Sequence, residues 1–150
     1  MAAMKHMRAR SGDHPDGDII FVRLHPGDEV HASLQELARL ERIPSASVSG
    51  IGAVNQIVLA LFEPSTRRYL ETAFQEDLEI VSMTGTLGWL GDAPATHLHA
   101  VVSRADCTTA GGHIMRAIVS VTLEITLIVG DLRLERRPDP DFGLNLLALE

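Results

Sequence analysis

The stretch SASVSGIGAVNQIVLALFE, Ser45–Glu63, decides the fold. Its apolar residues recur with the period of a strand on both sides of a Gly50/Gly52 interruption. Glycines inside a strand mark a bulge or a close approach of another backbone. They do not make a phosphate loop here. GIGAVN has neither the Walker lysine nor the third glycine of a dinucleotide fingerprint.

Working upstream, Ile19–Leu24 is a β-branched apolar run stopped by Pro26-Gly27, and it reads as a strand. Asp28 is placed to cap a helix from about Glu29 to Arg42, ended by Pro44. Val30, Leu34, Leu37 and Ala38 share one face of that helix, which suits packing against a sheet. Downstream, Arg67–Phe74 and LEIVSMTGTLG read as strands, and Gly88–Pro94 as a loop. THLHAVVS follows as a strand, ADCTTAGG as a turn-rich loop and IVSVTLEITLIVG as a long strand. The end, DLRLERRPDPDFGLNLLALE, holds a Pro-rich turn and an apolar tail that docks back on the body. The sum is one main helix, six to seven strands and room for a second short helix. The links between strands are too short for helical crossovers, so antiparallel pairing dominates and the class is α+β. Residues 1–17 are polar and read as a disordered leader, with a single domain over 18–150.

The composition narrows the function. Hydrophobic residues make up 45% of the 150, enough for a core, but aromatics only 4%. That is too few for a protein that stacks single-stranded bases on aromatic platforms. Thirteen Lys and Arg face 20 Asp and Glu, for a formal net charge of −7. Autonomous nucleic-acid binding needs clustered cations, and this balance opposes it. Cys107 is the only cysteine, which leaves no intrachain disulfide and fits a reducing cytoplasm. No apolar run reaches the ~18 residues of a membrane span. MAAMKHMRARSGDHPDGD has no apolar stretch after its basic residues and does not read as a signal peptide.

Three of seven histidines fall within Thr96–Met115, THLHAVVSRADCTTAGGHIM. On a strand, residues two apart point to one face, so His97 and His99 project together. His113, after Gly111-Gly112, is free to supply a third imidazole. Asp106 is an acidic candidate between them. Glu124, on the next long strand, is placed to ligate or to orient an imidazole if that strand pairs with His97–His99. Three imidazoles with an open position are the pattern of catalytic zinc sites, and nickel, iron or manganese also accept such donors. The alternative is three half-buried histidines bonded to carbonyls or water. His6, His14, His25 and His31 read as solvated or structural. Cys107 has no basic neighbour in sequence to activate it, and no G-x-S-x-G elbow surrounds Ser49.

Five segments, in this order, resemble one family. They are RLHPGDEVHASLQELA (Arg23–Ala38), VSGIGAVNQIVLALF (Val48–Phe62), LEIVSMTGTL (Leu78–Leu87), HLHAVVSRAD (His97–Asp106), and GGH followed by VSVTLEI (Gly111–Ile125). Together they resemble the plants-and-prokaryotes conserved (PPC) domain over about residues 18–130. The resemblance implies an α+β fold with a mainly antiparallel sheet and assembly as a homotrimer. In plants the domain accompanies AT-hook motifs, and stand-alone prokaryotic members commonly carry a provisional DNA-binding label. The AT-hook core is Arg-Gly-Arg-Pro, whereas Arg8-Ala9-Arg10-Ser11 lacks its Gly and Pro. His97, His99 and His113 fall on the family's His positions and Glu124 on its strand acid, which implies a divalent metal, zinc first. Three functions follow as expectations. One is a homotrimeric association module carrying the metal. Another is a metalloenzyme acting on a small polar molecule through a metal-bound water, with Glu124 or Asp106 as base. The last is direct DNA binding, which the charge opposes.

Overall fold

The computed structural model describes residues 4–9 and 18–149. In chain order the elements are β1 (Lys5–Ala9), β2 (Ile19–Leu24), α1 (Val30–Leu40), β3 (Ser45–Glu63), β4 (Arg68–Phe74), β5 (Leu78–Leu90), β6 (Ala93–Ser103), β7 (Thr109–Gly130), β8 (Arg136–Pro138) and β9 (Asn145–Leu147). The seven-stranded sheet has the order β1-β2-β7-β6-β5-β3-β4, and β7 also pairs with β3. Every pairing in it is antiparallel. The extra pairing closes β3, β5, β6 and β7 into a ring, so the expected α+β antiparallel sheet is coiled into a barrel.

Two long strands make this closure possible. The first half of β3 lies between β5 and the second half of β7, and its second half lies between β4 and the first half of β7. The register against β5 shifts between Gly50 and Gly52. A Cβ on Gly52 would stand 2.2 Å from the Thr122 carbonyl oxygen, so only glycine lets β3 and β7 approach this closely.

The core is aliphatic. Val30, Leu34, Leu37 and Ala38 of α1 pack on the sheet with Ile20, Leu24, Val48, Leu87, Leu98, Ile114 and Leu123, all fully buried. Burying each large aliphatic side chain contributes about 1.5–3 kcal/mol. Glu29, rather than Asp28, caps α1: its carboxylate accepts from Ala32 N at 2.7 Å. Asp28 instead accepts from His25 N at 2.8 Å, closing the turn that Pro26-Gly27 makes. The helix ends when Arg42 turns left-handed (φ 52°), which lets Ile43 N donate to Ala38 O.

Several boundaries differ from the sequence reading. Gly88–Pro94 is mostly strand, with a tight turn at Gly91-Asp92 joining β5 to β6. Thr109–Gly112 belongs to β7 rather than to a loop. No second helix occurs among the described residues. The leader expected to be disordered contributes β1, paired with β2 along Lys5–Ala9. Arg8 pins it to Asp18 at 2.8 Å and to Glu41 at 3.2 Å, while His6 meets Glu41 at 2.8 Å. Charge pairs hold this edge, which apolar periodicity does not report. Residues 10–17, with His14, lie outside the described residues. The tail docks through the β8–β9 hairpin and through Leu134, whose carbonyl accepts from Trp89 N.

Candidate metal centre

β6 alternates between two environments. Leu98 and Ala100 point into the core, so His97 and His99 point together to the other face. β7 then brings His113 directly opposite His99 in the ladder. The three rings pack with centroids 5.1 to 5.3 Å apart. One ring nitrogen from each lies within 4.8 Å of the other two. His97 Nε2 and His99 Nε2 are 3.2 Å apart. Two nitrogens each about 2.0–2.1 Å from a tetrahedral ion stand about 3.3 Å apart, so this pair is already at chelating separation.

The cluster has a firm back wall. Tyr69 of β4 stacks on His113 with centroids 5.0 Å apart, and Phe62 of β3 meets Tyr69 edge-on. His113 Nδ1 is buried without a hydrogen-bond partner. Burial first, then the neighbouring His97, His99 and His31 imidazoles and the Arg136 guanidinium, pushes the His113 pKa down to about 4. Burial first, then Arg136 and the other imidazoles, also lowers that of His97. Both rings are therefore neutral at physiological pH, the state in which an imidazole offers its lone pair to a metal. Nitrogen donors with no carboxylate among them suit zinc and its transition-metal neighbours rather than magnesium or calcium.

The two acidic candidates are not brought to the cluster. β7 does pair with β6, but only through Thr109–His113. Glu124 lies far along β7, exposed, opposite Arg23 of β2 and Ile51 of β3. Asp106 sits in the exposed turn between β6 and β7. It accepts from Thr108 N at 2.9 Å and Thr108 Oγ1 at 2.7 Å, which hold its carboxyl below the usual range. Cys107, in the same turn, is exposed and free.

Two residues beside the cluster were not singled out in the sequence. His31, the first-turn histidine of α1, bridges β6 and β7. Its Nε2 donates to Ile114 O at 2.9 Å, and its Nδ1 is hydrogen-bonded with Thr96 Oγ1 at 2.6 Å. It lines, with Thr96, His113 and Arg116, a cleft of about 490 Å³. Arg136 of β8 is only 8% exposed. Its Nη2 donates to Thr86 Oγ1 at 2.9 Å and its Nη1 to Asn145 O at 3.0 Å. Thr86 is the direct β5 partner of His97, so the guanidinium lies on the histidine face. The tail's composition carries no sign of that placement; it follows from the hairpin docking.

The sequence pattern of the Plants and Prokaryotes Conserved (PCC) domain matches residues 12–132. A solved structure from Bacteroides thetaiotaomicron VPI-5482 superimposes with a TM-score of 0.86 at 26% identity, covering 98% of each chain. One from Ralstonia eutropha JMP134 gives 0.81 at 31% identity over 95% of this chain and 96% of that one. Both are provisionally described as DNA-binding. A metal-containing protein from Archaeoglobus fulgidus gives 0.81 at 27% identity over 89% and 94%. The bifunctional protein GlmU of Synechococcus sp. (strain JA-3-3Ab) is 33% identical over 132 residues, 86% of this chain but 20% of that protein. The chain thus spans about a fifth of the length of that relative. A match over most of the chain, borne by the barrel described above, places it in one family: the chain belongs to the plants and prokaryotes conserved domain family.

Proposed function

We propose that the chain is a homotrimeric association module that holds a divalent transition metal, zinc first, on His97, His99 and His113. The observation that carries the metal reading is the convergence of three imidazole nitrogens within 4.8 Å across two paired strands. The metal-containing relative from Archaeoglobus fulgidus supports it. Three protein donors leave coordination positions open, unlike the closed four-ligand shells of structural zinc. The trimer is supported by apolar side chains left in contact with solvent. Met7 (65% exposed), Phe21 (48%) and Ile51 (59%) line a concave face of about 720 Å³, and an apolar concavity of this kind marks an association surface. A reducing cytoplasm is the proposed setting, in keeping with the unpaired, exposed Cys107. No helix among the described residues is long and apolar enough to cross a membrane.

The provisional description of the Bacteroides and Ralstonia relatives points to DNA. The charge of −7 opposes direct phosphate contact, so any DNA-linked role runs through partner proteins. A metal-dependent enzyme acting on a small polar substrate is the second reading, favoured by the open positions and by Arg136 at the site. In that case the metal would supply Lewis acidity and a water of lowered pKa. Glu124 and Asp106, distant or engaged elsewhere, would not be its base.

Sedimentation of the untagged protein at micromolar concentration tests the assembly. A trimer that Ile51→Glu converts to monomer supports the module. A wild-type monomer at that concentration refutes it.

A further inference from the structure

Arg136 is the one charged side chain buried among the described residues, and no carboxylate there pairs with it. Its two hydrogen bonds go to neutral oxygens, and its Nε is buried with no partner. A buried guanidinium is ordinarily matched by an anion, because desolvating it alone is costly. An anchoring role for the hairpin explains the bonds to Thr86 and Asn145. It explains neither the charge nor the idle Nε. The surroundings sharpen the question. Arg136 reaches the face that carries His97, His99 and His113, through Thr86, the partner of His97. The titratable side chains nearby are the His97 and His113 imidazoles and the Tyr69 phenol, with no carboxylate among them. A divalent ion on the histidines would add two further positive charges to a site with no counter-charge.

We propose that Arg136 is the anion-recognition residue of a small-molecule site whose other wall is the His97–His99–His113 cluster, and that its ligand class is a small carboxylate. This deepens the metal reading and rests on it for the second half of the site. The guanidinium's planar fork matches a carboxylate in two-pronged fashion, and the free Nε–H is one prong of that fork. A carboxylate seated there supplies the missing negative charge. It also turns the rest of the molecule toward the open positions of the metal.

Oxalate is the probe. Calorimetric titration of metal-loaded protein should show binding that weakens at least ten-fold in Arg136→Gln and by less in Arg136→Lys, which keeps the charge and loses the fork. Unchanged affinity in a folded Arg136→Gln would overturn the proposal, as would the absence of oxalate binding by the wild type. Loss of the hairpin's anchor could unfold Arg136→Gln, so a second reading uses the unmodified chain. The Arg136 Nε–H resonance of ¹⁵N-labelled wild type, assigned through its own side-chain correlations, should move on adding oxalate. It should move in metal-stripped protein as well, at higher oxalate concentration. A resonance that stays still while oxalate binds overturns the proposal. The metal-stripped arm separates the two ideas: a responsive Nε–H in protein that never takes up metal removes the metal reading and leaves the anion seat standing.

Discussion

His99 of β6 and His113 of β7 are direct partners across an antiparallel ladder, with ring centroids 5.3 Å apart and planes at 86°. A backbone register therefore sets the separation of two proposed ligands, and the β pleat adds His97 two residues along. A metal held there clips β6 to β7. Zinc at a hundred times its Kd should stabilise the chain by about 2.7 kcal/mol through preferential binding to the native state. His99 is exposed. His99→Ala should leave metal-free stability within about 0.5 kcal/mol of wild type while abolishing the zinc-induced rise in Tm. Scanning calorimetry with zinc and with a chelator reads both numbers.

The pH dependence follows from His113. Its pKa of about 4 in the folded chain lies below the 6.5 of an unperturbed imidazole. The unfolded chain therefore takes up the proton first as pH falls. Metal-free stability should be full above pH 6.5, decline as pH drops from 6.5 toward 4, and show no further His113 contribution below that. His113→Gln should flatten this part of a urea-denaturation series. Protons compete with metal for the same lone pairs, and the depressed values at His97 and His113 postpone that competition. Metal should be retained to lower pH than at a site of equal affinity built from ordinary imidazoles.

Gly85 controls the position of the first histidine. A Cβ there would stand 1.9 Å from the His97 carbonyl oxygen and 3.0 Å from Leu98 Cα, both backbone atoms that cannot swing aside. Gly85→Ala should push β6 away from β5, destabilise the fold by about 1–3 kcal/mol or more, and weaken metal binding. Gly91, whose added Cβ would meet nothing within 4 Å, is the control for space. Gly91→Asn, tolerated at its φ of 57°, should leave metal affinity unchanged.

A gel shift at about 50 mM salt, where phosphate contacts are strongest, should show no complex between the isolated chain and duplex DNA. A shift whose affinity falls steeply with added salt would mean that a local cationic patch outweighs the acidic total.

Much of this was legible in the sequence. The strand period around Gly50 and Gly52 marks both the strand and its irregularity, a register shift with a close backbone approach, and the i, i+2 spacing of His97 and His99 puts them on one face. What escaped depends on contacts between distant segments. Apolar periodicity does not report β1, because ion pairs from Arg8 to Asp18 and Glu41 and a hydrogen bond between His6 and Glu41 hold it. Glu124 is a candidate only on the condition that its strand pairs with His97–His99, and β7 does pair with β6. The ladder between them, however, ends at His113 and the strand then crosses to β2. Arg136 has no role in the sequence reading of the C-terminal segment, a Pro-rich turn with an apolar tail, and only the docking of the β8–β9 hairpin carries it to the site.

The most direct measurement is the metal content of untagged protein, by elemental analysis of the wild type beside His97→Ala and His113→Ala. The account predicts close to one zinc or other transition-metal ion per chain, lost in both variants while their folds persist. A wild type that stays metal-free after exposure to zinc, or variants that keep their full complement, would contradict it.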